Sequence, residues 1–169
     1  MNIDAQTDLG IARAVEPSSF SSSSLRRWLV RLSRFALAAL FLFTAGAKLA
    51  IVKAFAANVS ELLAASGFNP SRWAWPTTVA VITAEVITAL LLLFSRTVRI
   101  GALIAAFLLI GFAGYALYYV YALHGEPLEC GCFGGILASQ LGIKTALRNL
   151  VLLIPALVII FGHQRQRLP

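Results

Sequence analysis

The sequence predicts an all-α integral membrane protein, a four-transmembrane-helix bundle carrying a short helix on its outer surface. Three observations lead there. The chain is 59% hydrophobic and only 12% charged, with a mean hydropathy of +0.83, far from the usage of soluble domains. Apolar runs at 35–52, 76–94, 100–123 and 143–161 each approach the ~20 residues a helix needs to cross the hydrocarbon layer. The net charge of +7 and pI near 10.1 come from arginines flanking these runs, with no basic patch on a polar element. The basic balance therefore reads as membrane topology, with the lipid bilayer and not nucleic acid as partner.

Residues 1–30 carry Asp4, Asp8, Arg13, Glu16, Pro17 and a serine run broken only by Phe20, a composition that predicts a poorly ordered tail. The first apolar run begins too far in, and is too long, for a cleavable signal peptide, so it is expected to remain as the first span. Arg26, Arg27, Arg31 and Arg34 lead into that span, which ends with the small residues Ala45, Gly46 and Ala47 before Lys48. Small residues let a neighbouring helix approach closely. Residues 54–66 place Phe55, Val59, Leu62 and Leu63 on one helical face and Asn58 and Glu61 off it, the pattern of a surface helix, with Gly67 as its stop.

Phe68, Trp73 and Trp75 form an interfacial aromatic group, and Pro76 is expected to open the second span, which runs to Phe94 with Glu85 in its middle. Arg96 and Arg99 make a tight loop into the third span, with Gly101, Ala105, Gly111 and Gly114 as close-approach positions and Tyr115, Tyr118, Tyr119 and Tyr121 as an aromatic belt at its far end. A loop from His124 leads to the fourth span, where Pro155 predicts a kink. Residues 163–169 form a short tail. Arginines flank the N-terminal run, the loop between spans two and three and the C-terminus, against Lys53, Arg72 and Lys144 at the other end. The positive-inside rule then puts both termini in the cytoplasm and the 124–144 loop outside.

Three ionisable groups, Lys48, Glu85 and Arg148, fall inside spans, and each is costly there without a partner. At about 1.5 Å per residue, Glu85 lies roughly 13 Å below the outer end of its expected span, and Lys48 and Arg148 roughly 6 to 9 Å below theirs. Long side chains bridge such a gap. Glu85 is expected to pair with Lys48, Arg148 or both, on a face that also carries Thr78 and Thr88, either to fix helix register or to support chemistry at the loop above.

That loop holds Glu129-Cys130-Gly131-Cys132-Phe133-Gly134-Gly135, with the only two cysteines of the chain. A pair separated by one glycine forms a vicinal dithiol or a small, strained, easily reduced disulfide. Such a ring closes almost no loop and so stabilises little. Thiol exchange is the chemistry it suits, with Cys130 and Cys132 as the catalytic pair, one thiolate attacking a partner's disulfide and the other resolving the mixed disulfide. Two other classes remain open: a soft-metal site for Cu(I) on Cys130, Cys132 and His124, and a non-catalytic subunit whose loop docks a partner. Three candidate ligands are too few for a closed structural zinc site.

Thr44-Ala45-Gly46-Ala47-Lys48-Leu49 at the end of the first span, Glu85 in the second, Cys130-Gly131-Cys132-Phe133-Gly134 before the fourth and Arg148-Asn149 within it resemble the methylamine utilisation protein MauE and its DoxX-like relatives, over about residues 30–162. The resemblance implies a redox-associated bundle in the bacterial inner membrane, linked to amine metabolism. It implies support for disulfide handling and maturation of a partner of the methylamine dehydrogenase small-subunit type, with a periplasmic thioredoxin-like protein or a disulfide-containing client. No cofactor is required by the residues. A single cysteine pair cannot run a two-pair relay to a quinone by itself, so the electrons' far terminus is either a quinone or a second protein.

Overall fold

The computed structural model describes residues 22–123 and 143–164. Within them the chain forms five helices: α1 (Ser22–Ala50), α2 (Val52–Ala65), α3 (Pro70–Leu93), α4 (Val98–Tyr121) and α5 (Ile143–Gln164). Four of these, all but α2, are long and apolar enough to cross a membrane, so the fold is the all-helical four-span bundle that the hydropathy predicts. Helix α1 packs against α3 and α5, and α4 packs against the same two. The spans therefore close into a ring in the order α1, α3, α4, α5. Helix α2 follows α1 after a break at Ile51 and lies along α3.

The packing is that of a protein dissolved in lipid. Large apolar side chains such as Phe43, Phe107, Leu147 and Ile154 face outward, and the central core is rich in alanine: Ala38, Ala89, Ala102, Ala105, Ala106 and Ala156, with Leu37, Phe41, Leu92, Leu109 and Ile159 between them. Lipid tails are as apolar as leucine, so burying large hydrophobes gains little, and association rests on close packing and on interior polar contacts. The buried polar residues Thr44, Lys48, Thr78, Glu85, Thr88, Thr145 and Asn149 all lie on the spans. Thr88 donates to the Ala84 carbonyl at 2.7 Å and Thr44 to that of Phe41 at 3.1 Å, the intrahelical arrangement that satisfies a hydroxyl in an apolar interior.

Two helix starts differ from the sequence expectation, and both differences have a local cause. Helix α1 begins at Ser22, so residues 22–30, expected in the tail, are helical. At about 1.5 Å per residue its length exceeds the hydrocarbon thickness, and the excess carries the arginines. Arg34 anchors this end by donating from Nε to the Leu92 carbonyl at 2.5 Å, from Nη2 to the Leu93 carbonyl, and from Nη1 to Ser95 Oγ at 3.1 Å. A guanidinium thus caps the last carbonyls of α3, which have no intrahelical partner. Helix α3 begins at Pro70 and not at Pro76, because Asn69 caps it, accepting from Ser71 N–H at 3.1 Å, with Pro70 in the first turn. Pro76 lies inside the helix, and Pro155 likewise sits within an uninterrupted α5.

Helix α2 ends where expected. Gly67 adopts φ +78°, and Phe68 N–H returns to the Leu63 carbonyl at 2.9 Å, a left-handed C-terminal stop. Its buried residues are Phe55, Ala56 and Val59, while Leu62 and Leu63 are half-buried. The expected close approaches are redistributed. A Cβ at Gly101 would lie 2.8 Å from Leu92 N, and one at Gly162 would lie 2.5 Å from Val30 Cγ2, whereas Gly46, Gly111 and Gly114 have open space. Those three face outward, and the tight contacts sit where the α3–α4 turn folds back and where α1 meets α5.

Candidate functional site

The interior charges meet as a pair. Lys48 Nζ donates to Glu85 Oε1 at 2.5 Å, with both side chains 3% exposed. The contact joins α1 to α3 through the middle of the α3 span. Glu85 lies farther along α3 than its expected depth allowed, because α3 starts a turn and a half earlier; the first turns of α3 overshoot the end of α1, and α2 runs beside them. Thr44 lies beside the same carboxylate. Thr78 and Thr88, expected on the Glu85 face, are both fully buried with it.

Arg148, the third expected charge, reaches the same region from α5. A small cavity of about 30 Å³ is bounded by Thr44, Lys48, Glu85, Arg148 and Asn149 together with apolar side chains of α1, α4 and α5. Three spans thus converge on one polar locus, where Lys48 bonds Glu85 directly. The bond gives Lys48 and Glu85 the counter-charge that each needs within a span.

On the other side of Lys48 opens a larger, mainly apolar pocket of about 270 Å³, lined by residues of α1 to α5, among them Phe55, Val59, Leu63, Val81, Phe112 and Thr145. The Lys48 ammonium stands 5.5 Å from the Phe55 ring centroid and 5.9 Å from that of Phe112, within cation–π range of both. At the rim, Tyr115 Oη donates to the Leu62 carbonyl at 3.0 Å and lies 2.9 Å from Ser66 Oγ. That contact ties α4 to the end of α2. Of the four tyrosines expected as an interfacial belt, with a quinone or partner contact as the alternative, Tyr115 faces α2 and Tyr119 is buried, whereas Tyr118 and Tyr121 are exposed. Spacing carried a signal for this, since Tyr115 and Tyr119 are one helical turn apart and share a face.

Cys130, Cys132 and His124 lie outside the described residues. The two points at which their segment joins the bundle are described: Leu123 packs with Leu62, Ala116 and Tyr119, and Thr145, just past the start of α5, lines the large pocket. Both described flanks of the cysteine segment, Leu123 and Thr145, therefore lie at the end of the bundle that holds α2 and the pocket. Among the described residues, no group of three or more His, Cys, Asp or Glu side chains stands ready to hold a metal.

Four apolar spans around an interior lysine–glutamate pair, with a pocket opening beside it, define a multi-pass helical membrane protein with a polar centre. The profile of the methylamine utilisation protein MauE family matches residues 26–162, most of the chain and all four spans. The protein belongs to that family, and is a membrane protein associated with methylamine utilisation. No curated protein and no solved structure matches it.

Proposed function

We propose that the protein supports thiol–disulfide exchange on the outer face of a bacterial inner membrane, through Cys130 and Cys132, in the maturation of a disulfide-containing client. The observation that carries this reading is the Cys130-Gly131-Cys132 element itself, whose one-residue spacing favours a reactive dithiol over a structural bridge. The position of the flanking residues Leu123 and Thr145 at the α2 end of the bundle supports it. One cysteine attacks and the other resolves, with a periplasmic thioredoxin-like protein or the client itself as the exchanging partner. Lys48, Glu85 and Arg148 act as supporting charges that fix α1, α3 and α5 beneath the segment.

The arginines support the orientation. Arg34 is bonded at the α3–α4 turn, which carries Arg96 and leads into Arg99 in the first turn of α4, so the basic flank of α1 and this basic turn lie at one end, opposite α2. That end is cytoplasmic by the positive-inside rule, with both termini. Titration of the purified protein with glutathione redox buffers and a thiol-trapping reagent tests the reading. A disulfide that opens and closes under mild reductant is expected. Stoichiometric copper that shields both thiols would assign the cysteines to metal handling, and thiols inert to both would assign the segment to docking alone.

A further inference from the structure

We propose that the pocket beside Lys48 binds a quinone, a neutral, flat, membrane-soluble ring with carbonyl acceptors. At about 270 Å³ it is larger than the cavity of roughly 150 Å³ that accommodates benzene in an engineered protein core, so a substituted ring fits. Lys48 is the charged side chain on its wall, and an ammonium carries three donors, of which Glu85 Oε1 takes one at 2.5 Å. Because Glu85 pairs with Lys48, and Arg148 lines the smaller cavity and not this pocket, the lysine offers hydrogen bonds here without demanding an anion. This favours a neutral carbonyl acceptor over a carboxylate or phosphate.

The walls select shape. Phe55 and Phe112 stand on the approach to Nζ, and an acceptor reaching the ammonium passes beside two aromatic rings, which stack a planar ligand better than they hold a flexible chain. Ser66 and Tyr115, the polar groups at the rim, are bonded with each other and to the Leu62 carbonyl. Among the described residues, only the hydroxyls of Thr77 and Thr145 further interrupt an otherwise apolar lining, suited to an alkyl tail. The exposed apolar faces of α3 and α4 around it make lipid the medium from which such a ligand arrives.

The choice of a quinone among neutral carbonyl compounds rests on the redox reading above: oxidation of one dithiol to a disulfide releases two electrons and two protons, which convert one quinone to its quinol. Occupancy of the pocket is testable apart from that chemistry. The full-length protein, purified in detergent, is titrated with decylubiquinone and followed by native mass spectrometry and quenching of tryptophan fluorescence. Saturable binding of one molecule per chain is expected. Val81→Phe, which fills the pocket from α3, should weaken it by about tenfold or more through lost contact area, and Ile154→Phe on the lipid-facing side of α5 should leave it unchanged. If Val81→Phe fails to fold, Leu63→Phe fills the same space from α2 and replaces it. Unsaturable partition, equal affinity in the filled variant, or displacement of the quinone by equimolar oleate would overturn the proposal, the last by assigning the pocket to an acyl chain. The double variant Cys130→Ser/Cys132→Ser should bind as well as wild type. Quinone binding without thiol exchange would therefore defeat the redox reading alone, and exchange without quinone binding would defeat the pocket alone.

Discussion

Neutralising Glu85 perturbs the direct contact between Lys48 and Glu85. In Glu85→Gln the Lys48 ammonium, 3% exposed and bonded at 2.5 Å in the wild type, keeps an acceptor but loses its counter-charge. Removing one partner of a buried pair costs about 3–5 kcal/mol, more than the pair itself contributes, because a charge is left uncompensated. The neighbouring Arg148 adds to the imbalance, because its positive charge repels that of Lys48. Lys48→Met in the same background replaces the ammonium by an apolar chain of similar length, and should recover most of the loss. Arg148→Met should recover less, because Glu85 bonds Lys48. The assay is a thermodynamic cycle on the purified protein in micelles, with unfolding followed by far-UV circular dichroism in increasing denaturant. The expected coupling between Glu85→Gln and Lys48→Met exceeds about 2 kcal/mol, below the soluble-protein figure because a chain unfolded within detergent still finds polar partners. Wild-type stability in Glu85→Gln, or strict additivity of the two losses, would refute the reasoning and leave the pair as a contact without energetic weight.

Three further expectations follow from the packing. Gly101→Ala places a Cβ 2.8 Å from a backbone nitrogen of α3 and should destabilise by about 1–3 kcal/mol, whereas Gly111→Ala, with open space around it, should be neutral or stabilise by up to ~1 kcal/mol through helix propensity; equal effects in denaturation would contradict the described α3–α4 turn. Arg34→Met should cost about 1–3 kcal/mol by uncapping the end of α3, and Arg34→Lys should recover only part of it, because a lysine cannot fork between two carbonyls and a hydroxyl; full recovery would mean that charge alone matters there. Reporter fusions at residue 97 and at the C-terminus should read cytoplasmic and those at 65 and 130 external, and an external C-terminus would overturn the orientation.

The spans were legible because a hydrophobic run long enough to cross a bilayer has few alternative fates, and a charge within such a run must find a partner. Hence Lys48 and Glu85 could be expected to meet without knowledge of the packing. Helix starts were less legible, because polar residues extend a helix past its apolar run. The basic stretch before Phe35 is helical since Arg34 has α3 carbonyls to bind, a contact 58 residues away in sequence. At α3, Pro76 drew attention from Asn69 and Pro70, although the latter two carry the capping chemistry. Glycine was an uneven guide to contact: Gly101 makes the close approach expected of it, yet Gly46, Gly111 and Gly114 occupy an outward face. The pocket was invisible because it needs residues from all five helices, and no local pattern encodes their convergence.

The account turns on the two cysteines, and covalent trapping in cells tests it most directly. Removing only the resolving cysteine should hold the partner as a mixed disulfide, since release needs the second thiol. One of Cys130→Ser and Cys132→Ser, but not the double variant, is expected to give a higher-mass adduct that disappears on reduction, while the double variant still inserts, because a ring closed over one residue contributes little stability. Absence of an adduct from both single variants, with normal disulfide maturation of the client in the double variant, would contradict the account.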